Sequence, residues 1–171
     1  MDFQGLLSDK NIKPKEKTET LSKWVLNNPQ SLNELIEFAM ASKDPNKATC
    51  IEALEFATKI KPEIASIACL NFVSKTLTEK APRVKWESAR VVGNIAHLYP
   101  DNLDVAIKNL LMNSQHSGTV VRWSAAFALA QIVKIKSSLN KDLIPAIESI
   151  CKQEEKNSIR KIYLEALKKL T

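Results

Sequence analysis

The strongest constraint on this chain is internal repetition. The segment Val84-Lys85-Trp86-Glu87-Ser88-Ala89-Arg90-Val91-Val92-Gly93-Asn94-Ile95 returns 37 residues later as Val121-Arg122-Trp123-Ser124-Ala125-Ala126-Phe127-Ala128-Leu129-Ala130-Gln131-Ile132. A third copy begins 38 residues further on, at Ile159-Arg160-Lys161, and runs into Leu164-Glu165-Ala166-Leu167-Lys168-Lys169-Leu170. A fainter copy lies upstream, from Lys47 through Ala53-Leu54. A period in this range marks supersecondary units that cannot bury their apolar sides alone and so stack on their neighbours. It fixes an architecture and leaves function open.

The units read as helical. Only 3 glycines occur in 171 residues, the 7 prolines concentrate near segment ends, and runs of alternating β-branched residues are absent. With 44% hydrophobic and 26% charged residues the chain has ordinary globular values and enough length for one continuous core.

Breakers divide each unit into two helices. Pro82 suits an early position in a helix that runs to about Leu98, and Tyr99-Pro100-Asp101 opens its partner, which ends near Asn113. The next unit has helices from Ser117 to about Lys136 and from Lys141 to Lys152, split around Ser137-Ser138-Leu139-Asn140. The unit before runs from about Asp44 to Ile60 and, after Lys61-Pro62-Glu63, to about Leu77. Its Ile67, Ala68, Cys69 and Phe72 stand 38 residues before Val105, Ala106, Ile107 and Leu110. Helices from Lys15 to Asn27 and Ser31 to Ala41 fall outside this register. The expected layout is therefore a single domain over 1–171, with an irregular cap at 1–43 and repeats at 44–80, 81–117 and 118–155. A capping helix at 156–171 completes it. Residues before Pro14 are expected to be loosely held.

At about 100° per residue, Val121, Ala125, Ala128, Leu129 and Ile132 share one side of their helix, as do Ile159, Tyr163, Ala166, Leu167 and Leu170. Ala89, Gly93, Ala126 and Ala130 give neighbouring backbones room to approach. Glycine inside a helix costs about 1 kcal/mol relative to alanine, which Gly93 offsets if an adjacent helix needs its space. The Pro82–Ile95 string, and more closely Val121–Ile132, resembles a helix of a HEAT repeat, with its early proline, Val-Arg pair, paired alanines and Ala-Leu-Gly turn. The resemblance covers residues from about 44 to 171 and implies an all-α, right-handed α-α superhelix of about nine helices, the second helix of each unit forming the concave face. It implies partner binding in general, because the motif is a packing motif with no catalytic position.

Several function classes lose support. No apolar stretch approaches the roughly 20 residues needed to cross a bilayer, and the first residues lack a signal core. Cys50, Cys69 and Cys151 have no CxxC spacing and fall at apolar positions, so they read as packed, reduced thiols and point to a cytoplasmic location. His97 and His116 stand apart from other ligands, so no metal or cofactor site is expected. Asp101 and Asp104 read as capping acids in a first helical turn.

Two sets of residues are left as candidates. Lys47, Lys85, Arg122 and Arg160 place one cation in the first turn of each repeat helix, a ladder read chiefly as structural, reaching carboxylates or carbonyls nearby. Trp86 and Trp123 lie about 200° around the helix from Val84 and Val121, away from the core, each with a neighbour four residues on, Arg90 or Phe127. A cation–π pair and an aromatic pair are expected there, and these four residues form the candidate partner-binding patch. Trp24 is expected to cover core. Asn71, Asn109 and Ser149 form an aligned polar series on the second helices, read as bonds between units.

The net charge of +6 is modest, and the second helices carry near-balanced charge. The favoured reading is a non-catalytic, monomeric scaffold or adaptor for a protein partner. The alternative is a nucleic-acid-binding module resembling HEAT-like alkylated-DNA repair proteins, using the same aromatics with nearby arginines. A lyase or chaperone-like accessory has no residue signature here.

Overall fold

The computed structural model describes residues 1–170, among which ten α-helices and no strands occur. They are α1 (Phe3–Ser8), α2 (Pro14–Asn27), α3 (Leu32–Ala41), α4 (Asn46–Ile60), α5 (Ile67–Thr76), α6 (Pro82–Ile95), α7 (Asp104–Asn113), α8 (Thr119–Val133), α9 (Asn140–Gln153) and α10 (Asn157–Lys168). Short 3-10 turns at Pro29–Ser31, Pro62–Ile64, Ala96–Leu98 and Pro100–Asn102 join several of them.

Local chemistry sets the ends. Pro14 and Pro82 occupy the first turns of α2 and α6, where a missing N–H costs nothing. The Ser66 hydroxyl accepts from the Cys69 N–H and caps α5. After α8 the chain turns through Lys136 at φ 58°, and Asn140 Nδ2 donates to the Val133 carbonyl at 2.7 Å, closing the helix end. Pro145 lies inside α9 on its solvent side, so the Lys141 carbonyl loses its helical donor where water can replace it.

The helices form two layers. The first helices of each pair, α2, α4, α6, α8 and α10, pack side by side, and α3, α5, α7 and α9 cover them. Leu21, Leu35, Ile51, Leu54, Leu70, Ile95, Leu110, Leu129 and Tyr163 are fully buried between the layers. Each such side chain contributes about 1.5–3 kcal/mol of burial.

Small residues bring the first helices close. A Cβ placed on Gly93 of α6 would meet the Phe127 ring of α8 at 2.5 Å and the Ala128 Cα at 3.3 Å, so glycine is required there by the approach of α8. The second helices touch one another far less. The alanines and Gly93 of the first helices account for that difference in closeness.

The N-terminus also corrects the sequence reading. Residues before Pro14 are held, not loose: α1 buries Phe3 and Leu7, and Phe3 packs on Trp24 at 5.1 Å and Phe38 at 5.2 Å between ring centroids. Lys17 Nζ donates to the Leu7 carbonyl at 2.6 Å. This helix is the tenth, beyond the nine expected. Trp24 covers the cap core, as its position implied.

Candidate functional site

The outward side of α6 and α8 carries the aromatic residues singled out by the repeat. Trp123 is 40% exposed, and its ring stacks on Phe127 with planes 3° apart and centroids at 6.1 Å. One helical turn separates the two residues, and the pair is held from below by the ring's seat over Gly93. Trp86 occupies the equivalent place on α6, is half-buried, and donates its indole N–H to Glu87 Oε1 at 2.7 Å. Val120, 52% exposed, extends the patch along α8.

Arg90 does not take the expected cation–π place over Trp86. Its guanidinium bonds to Glu55 of α4 at 2.8 Å and to Glu87 at 3.4 Å, two carboxylates that are almost wholly buried. A charge-assisted bond to a buried acid outweighs an exposed ring face, so long-range pairing overrides the four-residue spacing. Asn94 Nδ2 completes the seam, donating to the Glu55 carbonyl and to Thr58 Oγ1, each at 3.2 Å. Two acids share one arginine, and Glu55 Oε2 is buried with no hydrogen-bond partner. Burial raises both carboxyls above the ordinary value of 4.5; Arg90 pulls each back, and Trp86 also does so for Glu87. Glu55 and Glu87 were missed in the sequence, although Glu55 stands four residues after buried Ile51, a spacing that faces an acid toward the core.

The cation ladder is occupied by local partners. Lys47 Nζ reaches Glu79 at 3.0 Å, and Lys85 Nζ donates to the Leu77 carbonyl at 3.0 Å and to Asn113 Oδ1 at 3.2 Å. Burial lowers the Lys85 ammonium below its usual range. Arg122 donates through Nε to Glu154 at 2.9 Å and through NH1 to the carbonyls of His116 and Ser117 at 3.0 and 3.1 Å. Burial alone would raise Glu154, but the bonds from Arg122 and the Lys156 N–H hold it below the ordinary carboxylate value. Arg160 bonds to Asn157. Arg83, beside the aromatic patch, pairs with Glu52 at 2.6 Å.

Other candidates separate. Asn109 Nδ2 bridges units by donating to the Ser74 carbonyl at 2.8 Å, whereas Asn71 and Ser149 are exposed, so the aligned series does not share one role. Asp101 lies in a 3-10 turn apart from Asp104, and no side-chain hydrogen bond caps α7, so the shared capping turn does not form. His116 Nδ1 accepts from the Gly118 N–H at 2.9 Å, and His97 is exposed on its 3-10 turn. Among the described residues, no group of three or more His, Cys, Asp or Glu is placed to hold a metal ion. The three cysteines are buried and unpaired, and burial pushes the Cys50 and Cys69 thiols up to about 12. No helix among these residues is long and apolar enough to cross a membrane.

No protein-family model matches the chain, and no curated protein matches it. Solved structures do. A designed armadillo repeat protein in complex with peptide (KR)4 superposes with TM-score 0.74 at 16% identity, covering 99% of this chain and 80% of that one. An engineered protein gives 0.72 at 17% identity, covering 98% and 77%. The complex of CpcE and CpcF of phycocyanin lyase from Nostoc gives 0.60 at 20% identity, covering 88% of this chain and 97% of the matched one. At these identities the likeness bears on the fold, and with the layered hairpins above it leads to one conclusion: the chain has the HEAT/armadillo-like helical-repeat fold.

Proposed function

We propose that the chain is a non-catalytic, monomeric scaffold that binds a protein partner on the exposed side of its first helices, through Trp123 and Phe127 with Trp86 beside them. The observation that carries this is the exposed Trp123 ring stacked on Phe127 at 3° between planes, a flat apolar platform fixed on a rigid helix. Binding energy at interfaces concentrates in such pre-organised aromatics, which lose little rotamer freedom on docking. Arg90 leaves the set of direct contacts, because both its acid partners are buried, and supports the platform from below. A fold neighbour holding peptide (KR)4 is in keeping with this use of the architecture. The reduced, buried thiols fit a cytoplasmic setting.

The nucleic-acid alternative gains no specific support. Arg83, Arg90 and Arg122 are paired with Glu52, Glu55 and Glu87, and Glu154, leaving few of these cations to track phosphates. Affinity capture from source-cell lysate tests the proposal with wild-type chain and the Trp123→Ala and Phe127→Ala variants. The expected result is one partner held by wild type and lost from both variants while their melting curves remain cooperative. A partner retained by both would overturn the reading, and salt-sensitive duplex DNA binding would replace it with the alternative.

A further inference from the structure

We propose that the groove between the C-terminal ends of α6 and α8 is a carboxylate-binding subsite, taking an aspartate or glutamate of the same partner segment that seats on Trp123 and Phe127. The subsite rests on the proposed platform and adds what the partner must carry beside its apolar anchor. The groove is lined by Gly93, His97, Gln131, Lys134 and Ile135, and its volume of about 250 Å³ is below that of ordinary ligand pockets and suits a single side chain. It adjoins the platform directly. Gly93 forms part of its wall, and the Phe127 ring lies against that same residue, where a Cβ would meet it at 2.5 Å. Along α8 and its C-cap, Trp123, Phe127, Gln131 and Lys134 recur at spacings of four, four and three residues, which puts them in one stripe.

Charge selects the occupant. The Lys134 ammonium, the His97 imidazole and the Gln131 amide all offer N–H donors, and no carboxylate among the described residues lines the groove. Other grooves set an acid beside their cation, as Glu154 beside Arg122, Glu37 beside Lys75 and Glu52 beside Arg83. Here the acid must come from outside. Lys134 enters no ion pair among the described residues, whereas Arg83 and Arg90 on the platform side are bound to Glu52 and to Glu55 and Glu87. A single lysine matches a single carboxylate, while a nucleic-acid track needs several cations in a row. Lys134 stands seven residues beyond Phe127, about 10 Å along the axis at 1.5 Å per residue, a span that three residues of extended peptide cover.

The probes are capped synthetic peptides Glu-Ser-Ser-Phe-Ser-Ser-Glu, Lys-Ser-Ser-Phe-Ser-Ser-Lys and Glu-Ser-Ser-Ser-Ser-Ser-Glu, symmetric so that chain direction does not matter. The chain holds 2 histidines, so imidazole NMR signals read His97 against His116, and the Trp123 indole N–H reads the platform. With the first peptide, saturable movement of His97 and Trp123 is expected while His116 stays still. The lysine peptide binds about tenfold more weakly, and Lys134→Glu reverses that preference. Lys134→Gln, which removes only the charge, weakens the first peptide without favouring the second. A still His97 with Trp123 moved equally by the first two peptides overturns the subsite and leaves the platform standing. Movement of His97 by the all-serine peptide as strong as by the first, with Trp123 still, keeps the carboxylate site and removes the platform instead. Two unmoved signals overturn the proposal, as does a DNA duplex that moves His97 more than the first peptide at equal ionic strength.

Discussion

Gly93→Ala probes the seam on which the platform rests. In an open helix the change stabilises by about 1 kcal/mol, since glycine gives up more backbone freedom on folding. Here the added Cβ falls 2.5 Å from Phe127 Cε1 and 2.9 Å from Cδ1, inside contact distance, and 3.3 Å from the Ala128 Cα. The ring must move, and it is stacked on Trp123, so it cannot swing freely. Overpacking of this kind costs about 1–3 kcal/mol. The net is a loss of about 1 kcal/mol, seen as a fall of about 2–4 °C in Tm for a chain of this length. Trimming the ring removes the two shortest contacts and leaves only the Ala128 approach, which a shift of a few tenths of an ångström relieves. In a Phe127→Ala background Gly93→Ala is therefore neutral or stabilising, giving a coupling of about 1–2 kcal/mol between the sites. Thermal and urea melts by circular dichroism on the four chains supply the cycle, and Trp123 fluorescence reports the ring displacement. If Gly93→Ala raises Tm in the wild-type background, or acts equally in both, the argument fails.

Two further outcomes follow from the buried charges. Glu55 and Glu87 have carboxyls raised above 4.5 by burial, so the native state holds more protons than the unfolded chain above that pH, and their contribution to stability falls as pH rises through the raised values. Urea midpoints between pH 4 and 8 should show that downward contribution shrink in Glu55→Gln; an unchanged pH dependence would contradict the raising of Glu55 by burial. Arg122→Ala strands Glu154, whose side chain is 4% exposed, and frees two turn carbonyls, for a loss of about 2–4 kcal/mol, less than a fully buried pair because Arg122 is itself 18% exposed. A melt within about 1 °C of wild type would return the ladder to the surface.

The repeat was legible because its causes are local. Pro82, the Val-Arg pair of Val121 and Arg122, and the alanines recur wherever a first helix must begin and let a neighbour close in. The outward placing of Trp123 followed from helical angle alone. What escaped depends on contacts far along the chain. A six-residue helix such as α1 has too few turns to show a period, and it exists because Phe3 finds Trp24 and Phe38. Arg90 looked available beside Trp86 because Glu55, 35 positions earlier, gives no sign of turning inward except its distance from Ile51. How closely α6 and α8 approach was hidden too, since helix spacing is a property of the pair Gly93 and Ala128 together.

The direct test of the account places a photo-reactive benzoylphenylalanine at Trp123 and, in a second chain, at Lys108 on the exposed side of α7. Lys108 is exposed, and at position 123 the photo-reactive residue, unlike alanine, keeps an aromatic ring beside Phe127. After irradiation in source-cell lysate, a single discrete protein adduct from position 123 and none from position 108 is the predicted result. The same adducts from both positions, or an adduct from 108 alone, would show that the aromatic platform is not where the partner sits.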